Sequence, residues 1–106
     1  MKKKQLVRQN FRDVCLKRDG YKCRKCGLKP EFDEMLDVHH IKDRTEISNG
    51  GYVLENGISL CGTCHLKAEK FHISAGREWE QGMHPDDLYR LIGSSEEKAE
   101  RASEKL

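Results

Sequence analysis

A chain of 106 residues with 20 Lys+Arg against 18 Asp+Glu carries a formal net charge of +2 and has room for one domain. Leu, Ile, Val and Phe together number 22, so the core is small; no apolar run approaches the roughly 18 residues of a membrane span, and Met1-Lys2-Lys3-Lys4 is not followed by the apolar stretch of a secretory signal. A soluble protein of the cytoplasm, without a membrane partner, is expected, and the charge is divided: residues 1–30 hold 11 basic and 2 acidic side chains, residues 31–106 hold 9 basic and 16 acidic.

Val7, Phe11, Val14 and Cys15 recur at helical spacing and predict a first helix over residues 7–18, closed by Gly20 in a left-handed conformation. A turn follows at Cys23-Arg24-Lys25-Cys26-Gly27, then a polar loop from Pro30 to Glu34. Leu36-Asp37-Val38-His39-His40-Ile41 alternates like a short strand, and Gly57-Ile58-Ser59-Leu60-Cys61 is its expected partner. The loop between them carries a turn signal, Asn49-Gly50-Gly51, but is too long for a tight hairpin. A helix over residues 63–73 is expected from Leu66, Ala68, Phe71 and Ile73, with Thr63 as its cap and Ser74-Ala75-Gly76 as its end. Residues 77–83 give no pattern. In residues 84–93 His84 occupies a capping position, Pro85 the first helical one, Asp86 and Asp87 the positive end, and Gly93 the stop, which predicts a short final helix. Residues 94–106 hold only Ala99, Ala102 and Leu106 as apolar residues and are expected as a charged tail, frayed or disordered. One domain over residues 1–93, with a core at about residues 15–73, is therefore expected.

Four of the five cysteines form two pairs, Cys23-x-x-Cys26 and Cys61-x-x-Cys64. Two such knuckles supply four thiolates to one tetrahedral zinc, which contributes folding free energy where the apolar core is too small to do so. Disulfides are disfavoured without a secretion signal, and a thioredoxin-like redox pair by the presence of two matched pairs and no βαβ pattern. Cys15 fits the apolar side of the first helix better than a fifth ligand position. If one zinc holds all four cysteines, strand 36–41, strand 57–61 and helix 63–73 become one ββα unit, and His39, His40 and His65 converge. Adjacent strand residues point to opposite faces, so a twist or bulge at His39-His40 is expected if both are to share a site.

These residues resemble the HNH endonucleases, also called ββα-metal or His-Me finger nucleases, in their zinc-stapled form found in small phage and bacterial proteins. The resemblance runs through Arg18-Asp19-Gly20-Tyr21-Lys22-Cys23, Cys26-Gly27, Val38-His39-His40-Ile41, Gly50-Gly51, Asn56, Leu60-Cys61 and Cys64-His65. It implies an α+β fold: a small ββα-metal core with a two-knuckle structural zinc site, flanked by an N-terminal helix and a short C-terminal helix. It also implies a phosphodiester hydrolase that cuts DNA, read as double-stranded, by a one-metal mechanism and leaves 5′-phosphate and 3′-hydroxyl ends. His40 matches the general base, Asn56 the residue that orients it through the loop backbone, and His39 and His65 the ligands of a catalytic divalent ion, Mg²⁺, Mn²⁺ or Ni²⁺. Glu69, one helical turn after His65, is favoured as a third ligand over His72, which is two turns away and read as a surface histidine. A phage-encoded protein acting in the host cytoplasm beside a terminase in DNA packaging is one setting the resemblance implies.

The alternative is a non-catalytic zinc module that binds nucleic acid or a protein through its basic N-terminal third, a reading that leaves His39, His40 and His65 without a role. The basic run from Lys2 to Arg8, with Arg12, Lys17, Arg18, Lys22, Arg24, Lys25 and Lys29, is a candidate phosphate-tracking face, and Lys42 and Arg44 are candidate phosphate clamps.

Overall fold

The computed structural model describes residues 3–106; Lys2 of the basic run lies outside the described residues. The chain forms helix α1 (Lys3–Arg18), strands β1 (Leu36–His40) and β2 (Gly57–Cys61), and helices α2 (Gly62–Ile73), α3 (Pro85–Leu91) and α4 (Glu96–Glu104). Short 3-10 turns lie at Asp33–Met35, Ser48–Gly51 and Leu54–Asn56. This is the α+β architecture expected, with an antiparallel hairpin between α1 and α2.

The pleat of the hairpin decides what each helix meets. In β1, His40 points to the α1 face, where its ring meets Phe11, while His39 points to the α2 face, where its Nδ1 meets Glu69. Directly paired residues share a face, so Gly57 opposite His40 lies under α1 and Ile58 opposite His39 lies under α2. Every residue of β2 is buried, since helices cover both of its sides. Gly57 lets α1 come close: a Cβ there would stand 2.5 Å from Cys15 Sγ and 2.6 Å from Phe11. The register runs without interruption from Leu36↔Cys61 to His40↔Gly57, so the expected bulge at His39-His40 is absent. None is needed, because His40 sits at the last position of the strand, where both faces open onto one cleft.

The core joins Leu36, Ile41, Ile58 and Leu60 of the hairpin region to Ala68, Leu88 and Ala99 from three helices. Burying a Leu or Ile side chain contributes about 1.5–3 kcal/mol, so a core of this size leaves the fold dependent on other ties. One is the Asp19 carboxylate, buried at the end of α1. It accepts from Arg18 Nε at 2.7 Å, from Arg24 Nη1 at 2.8 Å and from the backbone N–H of Ser59 at 2.9 Å, joining α1, the first knuckle and β2. Arg18 also donates to the carbonyls of Leu54 and Gly57, Arg12 to those of Leu36 and Asp33, and Arg24 to that of Leu91. Against the opposing desolvation, these donors hold the Asp19 carboxyl below its ordinary range.

Several boundaries differ from the sequence reading. Helix α1 already includes Lys3, the first described residue, rather than starting near residue 7, because its opening turn is exposed and Lys3, Lys4 and Gln5 give no apolar signal. Thr63 lies inside α2, whose cap position is Cys61. As expected, His84 caps α3, its Nδ1 accepting from the Asp86 N–H at 3.1 Å, and Gly20 (φ 68°) closes α1. The largest correction is at residues 94–106. They form an ordered helix capped by Ser95, with Ala99 and Ser103 buried against the turns at Ser48–Gly51 and Leu54–Asn56. Glu100 accepts from the Ser48 hydroxyl at 2.6 Å, Asn49 donates to the Ser103 carbonyl at 2.9 Å, and Lys42 pairs with Glu96. Small residues at i and i+4 let α4 pack closely without large apolar side chains. Among the described residues no helix is long and apolar enough to cross a membrane.

Candidate metal centres and active site

The first knuckle is shaped by backbone hydrogen bonds. Gly27 N–H donates to the Cys23 carbonyl at 2.9 Å, Cys23 N–H to the Leu28 carbonyl at 2.8 Å, and Gly27 adopts φ 80°, which a Cβ would strain. Arg24 N–H donates to the Ser59 carbonyl at 2.9 Å and so fixes this turn to β2, whose last residue is the third cysteine. The second knuckle runs from the end of β2 into the first turn of α2. Together they bring the sulfurs of Cys23, Cys26, Cys61 and Cys64 within 4.8 Å of one another, with Cys26 Sγ and Cys61 Sγ 3.8 Å apart.

Four sulfurs placed 2.3 Å from one zinc stand about 3.8 Å apart, so the cluster fits a tetrahedral ion as it stands. The thiol ionisations point the same way. Burial opposes ionisation of Cys23, yet N–H groups of Cys26, Cys61 and Lys25 bring its pKa down to about 7, while burial and the neighbouring thiols push Cys64 up. The Cys23 thiolate forms readily, while Cys26 and Cys64 resist until a cation offsets the repulsion. Cys15 is apart from this group, fully buried between α1 and β2 with its pKa raised to about 12 by desolvation.

The second cluster lies on the α2 face of the hairpin. His65, in the first turn of α2, and Glu69, one turn later, face β1, and Glu69 Oε1 lies 3.1 Å from both His39 Nδ1 and His65 Nε2. These three side chains, named as ligand candidates from the sequence, lie close enough together to form a candidate ligand set. Ligands about 2.1 Å from one cation in octahedral geometry stand about 3 Å apart, so the spacing fits a divalent ion. The ionisation states fit as well. Burial keeps His39 neutral, and its hydrogen bond holds Glu69 ionised, with a pKa of about 2. Neutral imidazole and charged carboxylate are the forms that bind metal.

His40 approaches from the other face. Its ring is held between Phe11 and Tyr52, each with a centroid at 4.7 Å, and its Nε2 is buried without a hydrogen-bond partner. Burial, then the neighbouring His39 and Arg44, lowers its pKa to about 4. His39, His40, Arg44, His65, Glu69 and His72 line one open cleft of about 260 Å³. Asn56, fully buried, anchors the chain just beyond His40: its Oδ1 accepts from Lys42 N–H at 3.0 Å and from the Tyr89 hydroxyl at 2.8 Å, and its amide donates to the carbonyls of Lys42 and Gly51.

Three features were not anticipated. His72 is no surface residue: it stacks on His39 at 5.1 Å and donates to the His40 carbonyl at 2.9 Å, locking the strand end to α2. Asp37 Oδ2 lies 3.1 Å from His65 Nδ1, the nitrogen turned away from Glu69. Tyr52 walls His40 from the long loop. The position of Asp37 two residues before His39 places it on the same face of the strand, a signal present in the sequence and overlooked. Lys42, a candidate phosphate clamp, is instead paired with Glu96 of α4, whereas Arg44 is exposed at the cleft.

Neither the curated proteins nor the solved structures searched give a match to this chain. A family model described as HNH endonuclease matches residues 23–71, a span that begins at the first zinc-ligand candidate and takes in the hairpin, the long loop, the second cysteine pair and both candidate metal clusters. Residues 23–71 are thus similar to the HNH endonuclease domain of a nuclease family, and the four-cysteine cluster that could hold zinc lies within that span.

Proposed function

We propose that the protein is a divalent-metal-dependent endonuclease that hydrolyses phosphodiester bonds of double-stranded DNA to 5′-phosphate and 3′-hydroxyl ends. The observation that carries this reading is the unpartnered, buried Nε2 of His40 in the same cleft as His39, His65 and Glu69. A lone pair kept free of internal hydrogen bonds beside a ligand cluster suits a general base.

In this reading His40 Nε2 takes a proton from the attacking water. Its low pKa keeps it unprotonated at neutral pH, and an anionic phosphate entering the cleft raises its basicity toward the working range. Phe11 and Tyr52 fix the plane of the ring, His72 holds the His40 carbonyl, and Asn56 holds the backbone of Lys42, so the base is immobilised from four directions. A Mg²⁺, Mn²⁺ or Ni²⁺ ion on His39, His65 and Glu69 would supply charge stabilisation at the phosphoryl and leaving 3′ oxygens. Three protein ligands leave room for substrate, as a reactive metal site requires.

Purified protein is expected to nick or cut plasmid DNA with one of these ions, and His40→Ala to lose at least about 100-fold in rate, the contribution of a positioned base. Wild type and His40→Ala behaving alike, or no cleavage with any divalent ion, would sink the assignment and leave a zinc-dependent binding module. A phage setting beside a terminase rests on the resemblance, and co-purification with a terminase large subunit tests it.

A further inference from the structure

Outside the reacting groups, the cleft has one neighbour whose chemistry the nuclease reading leaves unused. The exposed start of α1 borders a groove of about 510 Å³ in which Lys3, Lys4, Arg8, Asn49 and Tyr52 join the apolar Val7 and Leu106, with no acidic side chain among its lining residues. Arg8 lies over the Tyr52 ring, its Cζ 5.6 Å from the centroid. The opposite contact of the same ring is His40, edge-on at 4.7 Å and 88°. Arg44, exposed, lines the catalytic cleft together with His40, and the neighbouring Tyr52 raises its guanidinium pKa. Tyr52 thus touches both Arg8 and the base, and Arg44 stands in the cleft that the base lines.

We infer that Arg8, Tyr52 and Arg44 form a rail for the sugar-phosphate backbone, leading the substrate strand from the α1 groove into the cleft. The inference rests on the nuclease reading for what happens at the end of the rail, and on charge and geometry for the rail itself. Through the Tyr52 ring, the Arg8 guanidinium and the His40 imidazole are no more than about 10 Å apart, the rise of about three nucleotides. Guanidinium groups grip phosphate oxygens through paired N–H donors, and a tyrosine face can stack or slide along a sugar.

The surrounding charges leave this as the favourable approach. Asp37, Asp43 and Glu69 surround the reacting centre and repel a phosphate until cations compensate them. On another side, Glu96, Glu97, Glu100 and Glu104 of α4 outnumber Lys42 and Arg101, a surface that disfavours a polyanion. The α1 groove is the cationic face that opens next to His40, so the field directs a strand there. The first knuckle, with Lys25 and Lys29, stands beyond the far end of α1: the ten residues from Arg8 to Arg18 alone span about 15 Å.

The test is the salt dependence of DNA binding. Full-length, zinc-loaded His40→Ala protein is titrated onto a fluorescent 30-base-pair duplex between 50 and 300 mM KCl, alone and with Arg8→Gln, Arg44→Gln, Arg8→Lys or Lys29→Gln added. Arg8→Gln and Arg44→Gln are expected each to weaken binding about 3- to 10-fold and to lower the slope of log K against log salt by about 1, the loss of one phosphate contact. Arg8→Lys should keep the slope and Lys29→Gln should change neither quantity, while zinc content and circular dichroism report that each variant is folded. Unchanged slopes for both arginine variants, an equal loss in Lys29→Gln, or no DNA binding at all overturns the rail. A wild type that cuts plasmid while the slopes stay flat removes the rail and leaves the nuclease; a protein that never cuts but shows the slope changes does the reverse.

Discussion

Asp37 touches no candidate ligand atom and still bears on the cation site, because it fixes which nitrogen of His65 is free to bind. A carboxylate 3.1 Å from His65 Nδ1 favours the tautomer with its proton there, which leaves Nε2, on the Glu69 side, as the nitrogen for a cation. Asp37→Ala is expected to weaken Mn²⁺ binding in the cleft by about 10- to 100-fold, as loss of such partners does elsewhere, without releasing the cysteine-bound zinc. Isothermal titration of zinc-loaded protein, with zinc content measured alongside, reads both. Cys15 gives a pH prediction. Its folded-state pKa of about 12 lies above the ordinary 9.0, so burial of the neutral thiol favours folding fully below pH 9 and progressively less toward pH 12. At pH 8 only about one Cys15 in 10⁴ is thiolate, so a maleimide should leave it unlabelled in the folded protein and modify it in denaturant. The residues legible from sequence were those whose role is encoded by neighbours along the chain: the cysteine pairs, His39-His40, and Cys64-His65. His72 and Tyr52 were not, since their contacts with His39 and His40 exist only once α2 and the long loop have closed on β1.

At the scale of elements, the narrow fit between α1 and β2 is the most exposed to a single change. Gly57→Ala would place a methyl carbon 2.5 Å from Cys15 Sγ and 2.6 Å from Phe11, both from the helix that also backs His40. Overpacking of this kind costs about 1–3 kcal/mol, so a thermal transition several degrees lower is expected by calorimetry, along with slower DNA cleavage as Phe11 shifts against the His40 ring. An unchanged transition would mean that α1 can move away freely. The hairpin and α2 were readable because alternation and helical spacing mark half-buried elements. Helix α4 was not, because its contacts are made by Ala99, Ser103 and hydrogen bonds from Ser48 and Asn49, none of which raises the apolar signal of the segment. The expected bulge failed for a related reason: alternation says which faces two histidines occupy, but not that the strand ends where both faces meet.

For the whole molecule, a zinc ion on the four-cysteine cluster would couple metal binding to folding. Zinc on four cysteines brings about 10–16 kcal/mol of apparent binding free energy in small domains, comparable to or larger than the 5–15 kcal/mol that separates most folded domains from their unfolded states. A strong chelator is therefore expected to abolish the cooperative unfolding transition and most of the helical circular dichroism, with recovery on adding Zn²⁺ but not Mg²⁺. Retention of a sharp transition in the metal-free protein would show that the core and the Asp19 hub suffice.

The arginines that tie α1 and the first knuckle to the rest of the fold hide part of the molecule's charge from its surface. Arg12, Arg18 and Arg24 belong to the 11 basic residues of the first 30, yet each points a guanidinium at backbone carbonyls inside the protein. A lysine at any of them would preserve isoelectric point and electrophoretic mobility almost unchanged while losing the forked donors that bridge two partners at once. Charge titration and melting behaviour would then separate: two proteins indistinguishable on an ion-exchange column, one of them coming apart at a lower temperature.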